Sequence, residues 1–290
     1  MRNFRRLSCA ALAVAVATVA CQPQGQEAPG ANAGANTVSP IDRLPIAEPP
    51  MDRAALLMAA AKAASAAALG QVDVDQRRLL DGKMFEVRIR FGCPADDQAP
   101  SGPEAFGVRF DEVDRMLRVR AAPDLRLEDP LIASIGGETV EAVEGFWLRR
   151  PWLLAEGCPP APPQTPETKV DSEDRSADSA GKESPVRQSS PARGYMVGIA
   201  EFFTEAHSRS ARRDGRAYEV VKELGGVQRP SKVGYNLVLS GRLRQLLSGQ
   251  VISCIAADPN EPPQCVISAQ FDRVRIESPS TREILAEWSR

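Results

Sequence analysis

The sequence predicts an α+β protein rich in strand, mostly antiparallel sheet with an alanine-rich N-terminal helix. Three observations carry this. Segments such as "MFEVRIRF" alternate apolar and polar residues strictly, the pattern of a half-buried strand. Beyond the first 22 residues one stretch only, "MDRAALLMAAAKAASAAALG" at 51–70, is long, alanine-rich and free of Gly and Pro until its end, as a helix requires. Two further stretches, 21–50 and 159–193, are too poor in large apolar residues to belong to any core,.

Taken in order, the helix comes first. Asp52 is placed to cap its N-terminus and Gly70 to stop it,. Leu57, Ala60, Ala61, Ala64 and Ala68 fall on one face, which would pack closely on a sheet,. A short second helix is expected over 73–81, ahead of the Asp81-Gly82 turn. In "MFEVRIRFGC" Phe85, Val87, Ile89 and Phe91 share one face, with Glu86, Arg88 and Arg90 on the other. "FGVRF" and "RMLRVRA" read as two more strands joined by the acidic turn "DEVD", and "ETVEAVEGFWLRRPWLLAEGC" supplies one or two others. Phe146, Trp147 and Trp152 are expected in the core on size alone.

Beyond residue 193 the texture repeats. "GYMVGIAEFF", "GYNLVLSGRLRQL", "GQVISCIA" and "QCVISAQFDRVRIE" read as strands, and "STREILAEW" as a closing helical turn. The two folded segments, 51–158 and 194–290, share a class without an internal repeat. Residues 159–193 hold seven prolines and many charges and are expected to be a disordered linker or long loop,.

Chemistry-bearing motifs are sparse. His207 is the single histidine, near Glu201, Glu205, Ser208 and Ser210. No G-x-S-x-G elbow is present to build a nucleophile around it,. Carboxylates pair at Asp96–Asp97, Asp111–Glu112 and Asp258 with Glu261, each in a turn-like setting without a marked cleft,. Arg209, Arg212, Arg213 and Arg216 surround Asp214-Gly215. Guanidinium groups clustered on a hairpin tip are candidates to contact an anion, such as an anionic glycan, or a partner protein of the envelope. The competing reading is a turn whose charges blunt edge pairing. No catalytic residue, cofactor or metal is assigned. With one histidine and no C-x-x-C, zinc lacks a ligand set,.

Charge and cysteines narrow the classes further. The chain opens with Arg2, Arg5 and Arg6, then a 14-residue run of mainly small and aliphatic residues from Leu7 to Ala20. That run is shorter than the roughly 20 residues a spanning helix needs and has the make-up of an export signal covering 1–20. Without those three arginines, 33 basic residues face 38 acidic ones, a formal charge of −5, which argues against nucleic acid as a partner. Cys93, Cys158, Cys254 and Cys265 make an even set, as disulfides in an exported chain require,. Three pairings are open. Cys93–Cys158 with Cys254–Cys265 is preferred because each joins neighbours within one folded segment.

The signal ends in "TVAC", Thr18 to Cys21, which resembles the lipobox of bacterial lipoproteins, with Thr18 where such families usually carry Leu. The resemblance implies cleavage before Cys21, a lipid-modified thiol there, and attachment to a membrane. Gln22, rather than Asp, implies the outer membrane, on its periplasmic face; the alternative is a soluble periplasmic protein. Residues 21–50 then form a lipid-attached flexible tether spanning ~30 Å root-mean-square. The function implied is that of a non-catalytic binding or structural module of the cell envelope. The alternatives are a periplasmic hydrolase and an exported inhibitor of another enzyme.

Overall fold

The structure is a computed structural model and describes residues 48–94, 105–160, 195–206, 212–256, 258 and 260–289. Cys21, the tether up to residue 47, Asp96, Asp97, His207, Arg209 and residues 161–193 of the proposed linker lie outside the described residues.

Helix α1 spans Arg53–Ala68. Asp52 caps it as the sequence requires, its Oδ1 accepting the Ala55 N–H at 2.9 Å,. Gly70 ends it at φ +66,. The buried face is Arg53, Leu56, Leu57, Ala60, Ala63 and Ala64. It is rotated from the expected stripe, so Ala61 and Ala68 are exposed. After α2 (Gln76–Leu80) come strands β1 (Met84–Phe91), β2 (Phe106–Asp111) and β3 (Met116–Ala121), helix α3 (Pro130–Gly136), and strands β4 (Val140–Trp147), β5 (Met196–Thr204), β6 (Tyr218–Glu223), β7 (Tyr235–Leu243), β8 (Ile252–Ile255), β9 (Gln264–Glu277) and β10 (Ile284–Ser289). The α+β, mostly antiparallel class is as expected. Two elements are corrections: α3 had no forecast, and "STREILAEW" supplies strand β10 instead of a helical turn, because the edge of β9 offers it a full hydrogen-bonding partner.

The strands of the two segments interleave. The large sheet runs β1-β7-β9-β5-β4, with β8 and β10 also paired to β9, and a smaller sheet runs β2-β3-β6. Thus β1 pairs with β7, β3 with β6, and β4 with β5. Among the described strands only β5 and β9 pair in parallel. Strand β9 serves two neighbourhoods. Its first residues lie between β5 and β8, its last between β7 and β10. The ladder slips between Ser240 and Gly241. Gly241 is obligatory there, since a Cβ would stand 2.0 Å from the Gln270 carbonyl oxygen,.

The main core lies between the large sheet and its cover of α1 and the smaller sheet. It gathers Leu56 and Ala60, Phe85, Val87, Ile89 and Phe91, Leu117 and Val119, and Ile267 and Ile276. Aromatic rings run through it from Phe91 to Phe106, Phe146, Tyr218 and Trp288, with centroids 5.0–6.2 Å apart. A second cluster on the opposite face joins Leu125, Leu131 and Ile132 to Ala200 and Val266. Of the three large aromatics expected inside, Phe146 is fully buried and Trp147 half-buried. Trp152 is 71 % exposed, a correction whose cause is a turn held outside the sheet.

The outer face of β1, β7 and the end of β9 carries ions in place of a second core. The Glu277 Oε1 accepts from Arg88 Nε and Asn236 Nδ2, each at 3.0 Å. Glu86 accepts from Arg88 Nη2 at 2.6 Å, Arg275 Nη2 at 2.9 Å and the Ser240 hydroxyl at 3.3 Å. Arg90 donates to Asn236 at 2.6 Å. Val238, wholly buried, lies beneath this lattice.

Candidate functional site

The arginines do not sit on the expected hairpin tip: β5 before them and β6 after them belong to different sheets, and the connecting loop turns at Asp214 and Gly215, with φ values of +52 and +74,. The guanidinium groups of Arg212 and Arg213 turn onto the protein, while Arg216 is exposed. Arg212, with its side chain 11 % exposed, donates to Glu141 at 2.5 Å and to the Thr204 carbonyl at 3.2 Å. It also lies over the Phe203 ring. Arg213 stacks 4.3 Å from the Tyr218 ring centre and donates to the Ala217 carbonyl at 3.0 Å. Arg216 donates back to Arg213 at 3.1 Å. Donors committed to carbonyls and a carboxylate, together with the ring contacts, fasten this loop to β4, β5 and β6.

Beside this loop opens a cleft of about 610 Å³, between the edge of β4, the end of β3 and the strap 122–128. Arg120, Asp124, Arg126, Glu128, Glu141 and Asp214 line it. Asp124 fixes the strap to the sheet. Its N–H and that of Leu125 donate to the Gly145 carbonyl at 3.0 and 3.3 Å, and its Oδ1 accepts the Trp147 N–H at 2.9 Å. Burial pushes its carboxyl up to about 6, against the backbone N–H bonds that pull it down,.

The outward bonds of Gly145 and Trp147 set the phase of β4. Their backbone groups face away from β5, and so, two residues earlier, do those of Val143,. Val143 lines the cleft. A short stretch of sheet edge is therefore open to whatever occupies it.

Behind β4, two carboxylates meet in the interior. Glu144 and Glu201 stand directly opposite one another on β4 and β5 and are 3 % and 7 % exposed. Glu144 accepts a hydrogen bond from the Tyr218 hydroxyl. Glu201 accepts the Phe271 N–H at 3.1 Å, where β9 has left β5 and has not yet met β10. At this point Glu201 does the work of a strand, satisfying a buried backbone donor.

The four described cysteines form the preferred pairs, Cys93–Cys158 and Cys254–Cys265. Among the described residues no group of three or more His, Cys, Asp or Glu is arranged to hold a metal. Of the carboxylate pairs, Asp111 accepts the N–H groups of Val113 and Asp114, and Asp258 that of Asn260, which is turn chemistry. Asp124 and Glu144 carried no motif in the sequence. Their roles arise from strands that meet only in the folded chain, and a Pro-Asp pair after a strand was the one local sign at Asp124. No known protein family, curated protein or solved structure matches this chain.

Proposed function

We propose that the chain is an exported, lipid-anchored module of the bacterial cell envelope that binds a partner without catalysing a reaction. The observation that carries this is the pair of disulfides in the body, downstream of an arginine-led apolar start that ends in Thr-Val-Ala-Cys. Disulfides of this kind persist on the oxidising side of a membrane. An acylated Cys21 would keep the body there. Among the described residues no helix is long and apolar enough to cross a membrane. The cleft beside β4 is where a partner would dock, by adding an extended segment to the open edge at Val143.

Intact mass of the chain from a membrane fraction tests the anchor. Loss of residues 1–20 and addition of a diacylglyceryl group and an acyl chain at Cys21 is expected; an uncut or unmodified terminus would refute it. Reversing the two exposed charges on the cleft rim with Arg126→Glu and Glu128→Arg tests the docking edge. Capture of an envelope component should change while the folded stability does not.

A further inference from the structure

The turn at 149–154, "RRPWLL", presents Trp152 and Leu154 to solvent, 71 % and 54 % exposed. It is held in place from beneath. Arg53, 4 % exposed in the first turn of α1, donates to three of its carbonyls: Arg149 at 2.7 Å, Arg150 at 3.0 Å and Leu153 at 2.9 Å. A bond from Leu153 N–H to the Arg150 carbonyl at 2.9 Å closes the turn. Arg150 takes up a left-handed φ of +53 to make it,. Five residues past Leu153, Cys158 is bonded to Cys93 at the end of β1. So firmly held a turn keeps a large aromatic side chain in solvent, where a partner could cover it.

The surroundings indicate what does. Arg53, Arg90, Arg149 and Arg150 converge at the base of the turn, with Glu156 the one carboxylate among them. The chain also joins the body here. Lys83 binds Glu48 at 2.6 Å and Met51 bridges to Phe85 along the edge of β1, and two residues later Arg53 reaches the turn. Five extended residues cover at most ~18 Å. Glu48, the first described residue after the segment from Cys21, therefore stands within ~18 Å of Arg53, along the same edge of β1.

We infer that the Trp152 turn is a membrane-interface contact: Trp152 and Leu154 enter the headgroup region of a bilayer, and Arg149 and Arg150 of the same turn, both partly exposed, face its anionic lipids. This rests on the lipid-anchored reading above. It adds a second, weaker attachment that orients the body, with the edge of β1 toward the bilayer.

The test uses the disulfide-bonded chain from residue 21 onward with Cys21→Ser, which removes the acyl group and leaves the contact to act alone. Binding is measured to vesicles of phosphatidylethanolamine with phosphatidylglycerol and to vesicles of phosphatidylcholine, by co-sedimentation and by the shift of tryptophan emission. The chain should bind the anionic vesicles, less so as salt rises, with a blue shift. The double variant Trp152→Ser/Leu154→Ser should bind about tenfold more weakly or worse. Both side chains are exposed, so its thermal unfolding should match the parent, which separates lost contact from lost fold. Equal binding by parent and variant would overturn the inference, as would no binding by the parent. If the parent ignores vesicles and the variant loses an envelope protein instead, the turn is a protein contact and the bilayer reading fails. The mass measurement on Cys21 is independent: an unmodified thiol with vesicle binding intact would remove the anchor and keep the contact.

Discussion

The large sheet is built in two ways. Where β4, β5 and the start of β9 run, apolar layers cover both faces: α1 and the smaller sheet on one side, α3 and the 122–128 strap on the other. Where β1, β7 and the end of β9 run, one face joins the core and the other holds the lattice of Glu86, Arg88, Arg90, Asn236, Arg275 and Glu277. The first half derives its stability from dispersion and the exclusion of water. In the second, an ionic lattice sits over one face, and its worth depends on every partner being present. The difference also bears on function, since the cleft adjoins the first half and the tryptophan turn the second.

The largest effect should come from opening the doubly covered half. Ile267, fully buried on β9, lies between layers that cannot close over a void. Ile267→Ala should cost about 4 kcal/mol in urea unfolding. Val238→Ala, beneath the arginines, should cost about 2 kcal/mol, because the long side chains above it can settle. Equal losses would mean that the ionic face is as rigidly packed as the apolar one. Next is the lattice itself. Glu277 is the acceptor shared by Arg88 and Asn236, so Glu277→Ala should cost about 3 kcal/mol and Glu277→Gln markedly less. A double-mutant cycle with Arg88→Ala measures the coupling. A value near zero would show that the lattice contributes order and no stability.

The sequence displayed this division better than it displayed the site. "MFEVRIRF" alternates because only one face of β1 meets the core; "MVGIA" and "CVISA" run on apolar because both faces of β5 and early β9 are covered,. Turns and caps with local causes, such as Asp52 and Asp214-Gly215, were equally legible. What depends on distant chain was not. Leu285 and Trp288 have a helical spacing, yet β10 is a strand because the end of β9 lacks another neighbour on that side. Trp152 has the composition of a core residue, and its exposure follows from a bond made by Arg53, 100 residues away in sequence, to the Leu153 carbonyl. The arginines around Asp214-Gly215 announced a charged turn, but the carboxylate that binds Arg212, Glu141, lies 71 residues away on β4.

Asp124 sharpens the comparison from the covered side, because the strap over β4 is pinned by a carboxylate whose charge opposes its burial. Its folded pKa is raised from 3.8 to about 6, so the folded chain holds this proton to higher pH than the unfolded chain does. Stability from this group is therefore greatest below pH ~4 and declines as pH climbs through about 6, beyond which it is flat. A shift of that size sets the decline at about 2–3 kcal/mol. Asn at this position keeps an oxygen for the Trp147 N–H and carries no charge. Asp124→Asn should thus match the parent at pH 4, exceed it at pH 7 by about 2 kcal/mol, and remove this part of the slope between. Denaturant unfolding of both proteins across pH 4–7 measures it. A parent that gains stability with pH in this interval relative to the Asn variant would mean that the carboxylate is stabilised in its charged form, and that the strap is held by an ionic bond of the kind found on β1 and β7.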